Sequence, residues 1–324
     1  MLRTNPPAHT RLRALVSKAF TPRTVAHLRP LVTSQADALL DAALEKGEVD
    51  LIEAFARPLP LRVICTLLGV PPEDEETFGA WGMALSRGLD PDYLLTAAEL
   101  AQRAEATRGF AAYFTELIAQ RRAAPSDDLL SRLVTVQEQG DSLTESEMLE
   151  TCVLLLVAGY ETTINLVANG VLALLRNPGQ LSLLRADPAL TVSAVDEMLR
   201  YDPPVHWAGR VALEDTTLAG HRFAAGDGIV IVIGSAHRDP EAYPDPDRFD
   251  VTRFTGSAPA TRHIAFGFGI HYCLGAALAK MEAEIMLTAL LRRVRNLALT
   301  TDRLTYRPHL LARGLETLPV RLSA

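Results

Sequence analysis

Through the first two-thirds of the chain, apolar residues recur at three- and four-residue spacing with few β-branched alternations, which predicts helix after helix punctuated by Pro and Gly. One helix is expected over 7–19. A second opens at Thr21-Pro22, a capping hydroxyl followed by Pro at the first helical position, and reaches 44. Further helices fit 59–68, 73–85, 97–122 and 127–139. Thr144-Glu145-Ser146-Glu147 forms a capping box ahead of a pattern that continues to 175, ~30 residues and therefore ~45 Å long. Its middle, 153–158, is apolar, so this helix runs through the interior and a centrally bound group lies against it. After a helix ending near 201 come short β-like runs at 210–213, 221–224 and 228–233, predicting a small sheet. Residues 239–259 mix Pro, Asp and Arg with the aromatic anchors Tyr243, Phe249 and Phe254, an irregular meander rather than a linker. A last helix is expected from just after Cys273 to 294, and the tail 297–322 alternates like one or two strands around Arg313-Gly314. With no repeat or linker, the expectation is one mainly α domain with small β-sheets over 1–324.

Composition narrows the class. The 324 residues are 48% hydrophobic, enough for a sizeable core, and the net charge of −7 gives no general electrostatic reason to expect nucleic acid or an anionic membrane as partner. The longest unbroken apolar runs, 152–159 and 229–234, fall short of the ~20 residues of a membrane span, so no spanning helix is expected. The first residues lack an apolar signal core, which reads as cytoplasmic. Cys65, Cys152 and Cys273 lie far apart with no C-x-x-C pair, which argues against a disulfide framework or a thiolate zinc site.

The densest run of unusual residues is Phe266-Gly267-Phe268-Gly269-Ile270-His271-Tyr272-Cys273-Leu274-Gly275, directly before the last helix. Its glycines permit positive φ and close approach to a bulky ligand, while a cysteine at a helix start meets unpaired N–H donors that favour thiolate, a metal ligand. An arbitrary cysteine is usually just a small buried hydrophobe, and Cys65 and Cys152, in apolar helices, keep that reading. A nucleotide loop fails because Tyr272 stands where G-x-G-x-x-G needs its third glycine.

The run matches F-G-x-G-x-H-x-C-x-G, the haem-binding loop of the cytochrome P450 family, and the chain resembles the soluble bacterial members of that family over residues 7–322. The resemblance implies haem b (iron protoporphyrin IX) with Cys273 as axial thiolate, a ligation that favours O–O cleavage. Phe266, Gly267 and Gly275 line the loop, and His271 serves a haem propionate. Three further segments agree. Ala158-Gly159-Tyr160-Glu161-Thr162-Thr163 resembles the family's A-G-x-[DE]-T, in which Ala158 and Gly159 leave room for dioxygen, Thr162 holds the hydrogen-bond network beside it, and Glu161 relays protons. There a hydroxyl competing for a backbone carbonyl is expected to loosen one turn and open a groove for water. Taken alone, such a triplet is most often an exposed polar face. Glu197-Met198-Leu199-Arg200 resembles the E-x-x-R brace, with Arg248 as the meander arginine that closes it. His9-Thr10-Arg11-Leu12-Arg13 resembles the H-T-x-x-R helix, so that His9, Arg13 and Arg210 would join His271 on the propionates. Lys18, Arg11 and Lys280 are candidates for a basic docking face.

Only eight residues precede His9, where family members carry a sizeable segment of sheet strands and pocket roof. The fold implied is therefore a cytochrome P450 fold, N-terminally truncated, its N-terminal strands and first helices absent, with an exposed strand edge at 228–233. The functional expectation is a haem-thiolate monooxygenase that takes electrons from a ferredoxin-type donor with its reductase and hydroxylates or epoxidises an apolar small molecule, in secondary metabolism. The residues expected to select it are 81–93, 155–158, 205–208 and 310–311. The competing reading is an inert haem-binding or non-functional fragment. A serine hydrolase has little support, as no G-x-S-x-G elbow exists.

Overall fold

The computed structural model describes residues 1–137, 140–256 and 261–324. In chain order the elements are α1 (Ala8–Ala19), α2 (Pro22–Lys46), β1 (Glu48–Asp50), α3 (Pro58–Leu68), α4 (Glu75–Ser86), α5 (Ala97–Ala123), α6 (Leu129–Thr135), α7 (Glu145–Arg176), α8 (Pro178–Ala186), α9 (Thr191–Tyr201), β2 (Trp207–Val211), β3 (Thr216–Leu218), β4 (His221–Phe223), β5 (Gly228–Val232), α10 (Ile233–Ala236), α11 (Ala276–Arg293), β6 (Asn296–Leu299) and β7 (Pro319–Ser323). Capping chemistry sets several of the ends. Thr21 accepts the Thr24 N–H at 3.2 Å before α2, and both Thr96/Glu99 and Thr144/Glu147 close full capping boxes before α5 and α7.

α7 is the axis. It packs against α3, α4, α5, α9 and α11, and one continuous apolar cluster extends from Leu12 to Leu322. By length and composition α7 could cross a membrane, which corrects the reading from unbroken apolar runs: scattered polar residues hide a long apolar average. Its apolar window is 67% buried inside the protein, as befits a core helix. The tail closes on it at Gly314, where any Cβ would collide with Asn165 of α7. Cys65 and Cys152 are fully buried and burial pushes both thiols up to about 12, so both keep their reading as inert packing residues.

The β structure forms three small antiparallel sheets, ordered β1-β7-β6, β2-β5 and β3-β4. β1, β3 and α8 were not foreseen, being too short or too polar to show a period. The helix expected over 127–139 covers only Leu129–Thr135, because Asp128 caps it by accepting the Ser131 N–H at 2.7 Å and Val136 is already extended; Glu138 and Gln139 lie outside the described residues, as do 257–260 of the meander. The strand expected at 228–233 does find a partner, β2, in a two-stranded ribbon whose Val211, Val230, Ile231 and Val232 are exposed.

Behind the Cys273 loop sits a buried ion network. Arg200 and Glu197, both with fully buried side chains, form a bidentate pair at 2.7 and 2.8 Å. The second guanidinium is Arg253, at 3.1 Å from Glu197, and not Arg248. The Arg248 side chain is 62% exposed and lies near Asp250, so it offers the network only its carbonyl, an acceptor for Arg200 and Arg253.

Replacing Glu197 leaves two guanidiniums without their anion, so Glu197→Gln is expected to lower unfolding stability by about 3–5 kcal/mol, read from the urea midpoint. Fully buried His237 has its pKa lowered from 6.5 to about 4, chiefly by burial, and its neutral ring accepts the Ile264 N–H at 2.9 Å through Nε2. The unfolded chain binds that proton first, so His237 contributes about 3 kcal/mol that is present above pH 6.5 and lost as pH falls toward 4. His237→Gln, which keeps an acceptor but cannot protonate, is expected to flatten the pH dependence of stability in that window.

Candidate active site

The loop before α11 is shaped by backbone hydrogen bonds. Gly267 and Gly269 sit at φ 73° and 74°, where a side chain would be strained, and the chain folds back so that the Cys273 N–H donates to the Phe266 carbonyl at 2.9 Å. Gly275 caps α11, and the N–H groups of Gly275 and Ala276 point at the Cys273 sulfur. Burial pushes the thiol up more than those N–H groups and Arg13 pull it down, which corrects the expectation that the helix start alone favours thiolate. Displacing that proton is work for a metal.

Hydrogen bonds run from the buried ion network to this cysteine. Arg200 donates to the His237 carbonyl at 2.9 Å, and the His237 ring accepts from Ile264. The Ile264 carbonyl in turn accepts from Gly267 at 2.8 Å, beside the Phe266–Cys273 bond. Phe266 itself packs against the core and near His263, whose ring contacts Asp196 at 3.1 Å.

α1 supplies the second wall. Arg13 donates to the Tyr272 carbonyl at 2.7 Å, and the His9 and His271 rings lie 4.2 Å apart. Arg210, at the exposed end of β2, donates to the Gly209 carbonyl, yet its charge reaches His271. Thus His9, Arg13, Arg210, His271 and Cys273 are brought together. Burial lowers the pKa of both histidines, and the neighbouring cations lower it further. His9 is 2% exposed with neither ring nitrogen hydrogen-bonded. A cation-rich cluster around a buried histidine whose ring nitrogens are unpaired fits an anionic group at that place.

On α7, Ala158 and Gly159 are exposed although the helix around them is buried, and a Cβ at Gly159 would meet nothing nearer than Ile64 at 3.9 Å. The hydroxyls of Thr162 and Thr163 donate to the Ala158 and Gly159 carbonyls at 2.6 and 3.0 Å. The helix nevertheless stays α through this turn, so the hydroxyl bonds form without the break expected there. Glu161 points away into a buried ion cluster, with His309 Nδ1 at 3.0 Å and Arg307 at 3.6 Å from Oε1. Burial raises its pKa, but His309, Ser86 and Arg307 outweigh that and hold the carboxyl below its ordinary value. Ala158 to Thr162 thus form a second group, tied to the tail through Glu161. His309 and Arg307 were missed by sequence reasoning; a carboxylate in an apolar helix demands a cation, but nothing in the pattern says which.

The candidate docking cations are all engaged. Arg11 pairs with Glu147 at 2.7 Å and Asp141 at 3.2 Å, Lys280 with Asp196 at 2.7 Å, and Lys18 reaches the Gln137 carbonyl at 3.4 Å. Of the expected substrate-lining residues, Leu310 and Leu311 sit beside Trp207, whose Nε1 donates to the Leu310 carbonyl at 2.8 Å. Trp81 instead packs edge-on against Phe110 and Tyr113.

The residues fit an iron porphyrin: a single sulfur ligand, donors and cations for two carboxylates, exposed apolar Phe268 and Ile270 beside the sulfur, and a small-residue opening on α7.

A sequence model of the family described as "Cytochrome P450" matches residues 184–305. The whole chain is 46% identical to "Cytochrome P450 107B1" of Saccharopolyspora erythraea, covering 77% of that protein, and 99% of it is 46% identical to "Cytochrome P450 monooxygenase PikC" of Streptomyces venezuelae, covering 75%. Among solved structures, the Bacillus subtilis polyketide-synthase P450 PksS superposes with TM-score 0.92 at 42% identity, covering 99% of this chain and 80% of that one. P450BioI, solved with an acyl carrier protein, gives TM-score 0.92 at 40% identity, covering 100% and 82%.

Cys273→Ser is expected to abolish the thiolate-type absorbance of the reconstituted protein while its helical circular dichroism persists; unchanged pigment would refute the ligand assignment.

Proposed function

The chain belongs to the cytochrome P450 family, and from that premise we propose which residues carry its haem b monooxygenase chemistry and what it oxidises. Its relatives are named as monooxygenases and hydroxylases, which supports this reading over an inert fragment. When bound, haem supplies dioxygen activation with electrons from a redox partner and insertion of one oxygen atom into substrate. The observation that carries the residue assignment is the Cys273 sulfur, set under two backbone N–H groups beside a cation-rich cluster with no carboxylate partner among the described residues. Cys273 holds the iron, with Phe266, Gly267 and Gly275 shaping its loop. His9, Arg13, Arg210 and His271 hold the propionates, where two full cations and two imidazole donors match two carboxylates.

Ala158 and Gly159 keep the oxygen side open. The Thr162 hydroxyl is anchored by its donated bond to the Ala158 carbonyl and keeps its lone pairs free to accept, so it orients water or substrate oxygen there. Glu161, one residue earlier, is the acid-base relay, and its depressed pKa keeps it a carboxylate that takes up a proton before giving it on.

The substrate is a bulky apolar molecule, its class suggested by relatives named for polyketide biosynthesis, 6-deoxyerythronolide B hydroxylation and vitamin D3 25-hydroxylation. The aliphatic set Leu155, Val205, Leu310 and Leu311 suits such a ligand. The electron donor is a ferredoxin with its reductase, the setting is secondary metabolism, and the protein is soluble and cytoplasmic, folded as one domain over 1–324 around its continuous apolar cluster.

Reduction of the haem-loaded protein under carbon monoxide is expected to give a thiolate-type Soret band, and NADPH with ferredoxin and reductase to give product; a stable non-thiolate pigment would overturn the reading. Thr162→Ala is expected to cut product formed per electron consumed about tenfold, with hydrogen peroxide released in its place, measured by parallel product and peroxide assays.

A further inference from the structure

We propose that His309 is the positioning residue through which protons enter the buried Glu161 relay from solvent, an inference that rests on the reading of Glu161 as that relay. Glu161 is 3% exposed and cannot exchange protons with bulk water directly. His309 Nδ1 lies 3.0 Å from its Oε1 as an ion-pair contact, and Oε1 has no hydrogen bond of full geometry. A proton crosses that distance once the ring aligns. The His309 side chain is 9% exposed against 4% for Glu161, and its chain neighbours Pro308 and Leu310 are both exposed, so the imidazole is the more accessible member of the pair.

The groups facing Glu161 leave few other routes. Arg307, 3.6 Å away on the same loop, does not deprotonate in proteins. Ser86 of α4 also reaches the carboxylate, but its hydroxyl donates to the Met83 carbonyl at 2.9 Å. The loop itself is held from beneath by charge: Asp90 accepts the N–H groups of Leu310 and Leu311, both at 3.1 Å, and Arg87 donates to the Pro308 carbonyl while pairing with Asp90 and with Glu99 of α5. This clasp fixes the backbone of 308–311 and so fixes where the imidazole points. An imidazole is the side chain suited to take and give a proton near neutral pH.

The step balances. The Nδ1–H bond of protonated His309 breaks as the proton passes to Glu161 Oε1, giving a carboxylic acid and a neutral imidazole; the ring regains a proton from solvent, and Glu161 becomes an anion again when its carboxyl turns out of the His309–Arg307 cluster and gives the proton to a water on the Thr162 side.

The test uses the haem-loaded protein with its electron supply, in wild type, Glu161→Gln, His309→Asn and His309→Gln. The Asn amide nitrogen mimics Nδ1 as donor but does not titrate, and Gln serves if the Asn variant folds poorly. Turnover of the wild type, measured across pH, gives the reference pH dependence. His309→Asn is expected to be slower by about tenfold or more, with KM unchanged and that pH dependence gone. Independently of activity, the NMR signals of the His309 ring are expected to move in Glu161→Gln, because the carboxylate 3.0 Å from Nδ1 is gone. Wild-type turnover and pH profile in His309→Asn with slow Glu161→Gln would overturn the His309 route and keep the relay. Wild-type behaviour in Glu161→Gln would sink the relay itself. A slow His309→Asn that retains the wild-type pH profile, or His309 ring signals indifferent to Glu161, would reduce His309 to a structural role and refute the proposal.

Discussion

A metal ligand on a loop is only as well placed as the loop is stiff, and a loop with two left-handed glycines has little stiffness of its own. Here rigidity is borrowed from a charge network built on the fully buried Glu197–Arg200 pair. Glu197 clamps Arg200 and Arg253, Arg200 fixes the His237 carbonyl, the His237 ring fixes Ile264, and Ile264 and Phe266 fix the turn that ends at Cys273. Each link is an ordinary hydrogen bond worth about 1 kcal/mol net, but every member is buried or half-buried, so breaking one strands its partner at a larger cost. The network therefore acts less as a source of stability than as a constraint against alternative loop positions.

The second organising fact is an electrostatic imbalance. His9, Arg13, Arg210 and His271 crowd together, and every charge acting on the two rings disfavours their protonation. Such an arrangement is costly in an isolated protein and becomes favourable once two carboxylates enter. Cofactor capture is thereby linked to folding: a group that binds only the native chain stabilises it in proportion to the logarithm of its concentration over its dissociation constant.

The sequence was most legible where chemistry dictates spacing. The cysteine loop could be read because turn, ligand and helix start must follow one another at fixed intervals, and α7 because capping box and apolar period agree over its whole length. Legibility failed in irregular backbone. Arg248 and Arg253 both lie in the meander, and without a period nothing in the residues says which guanidinium turns inward. It failed again for Glu161, whose counter-cations arrive from the far end of the chain. Periodicity carries local information, whereas burial of a charge is settled by tertiary contacts.

The loop 307–311 shows how one segment can serve several demands at once. Its side chains neutralise Glu161, its N–H groups satisfy Asp90, its Leu310 carbonyl receives Trp207, and Leu310 and Leu311 present apolar surface beside that strand. A segment with so many polar obligations cannot shift to suit a ligand without breaking buried pairs. Ligand shape is therefore expected to be accommodated elsewhere, by exposed apolar side chains such as Tyr93 and Leu94, which carry no comparable ion pairs among the described residues. Selectivity would then diverge at those exposed side chains while the 307–311 loop stays fixed, because the residues bound into ion pairs and the residues free to move are held on different elements.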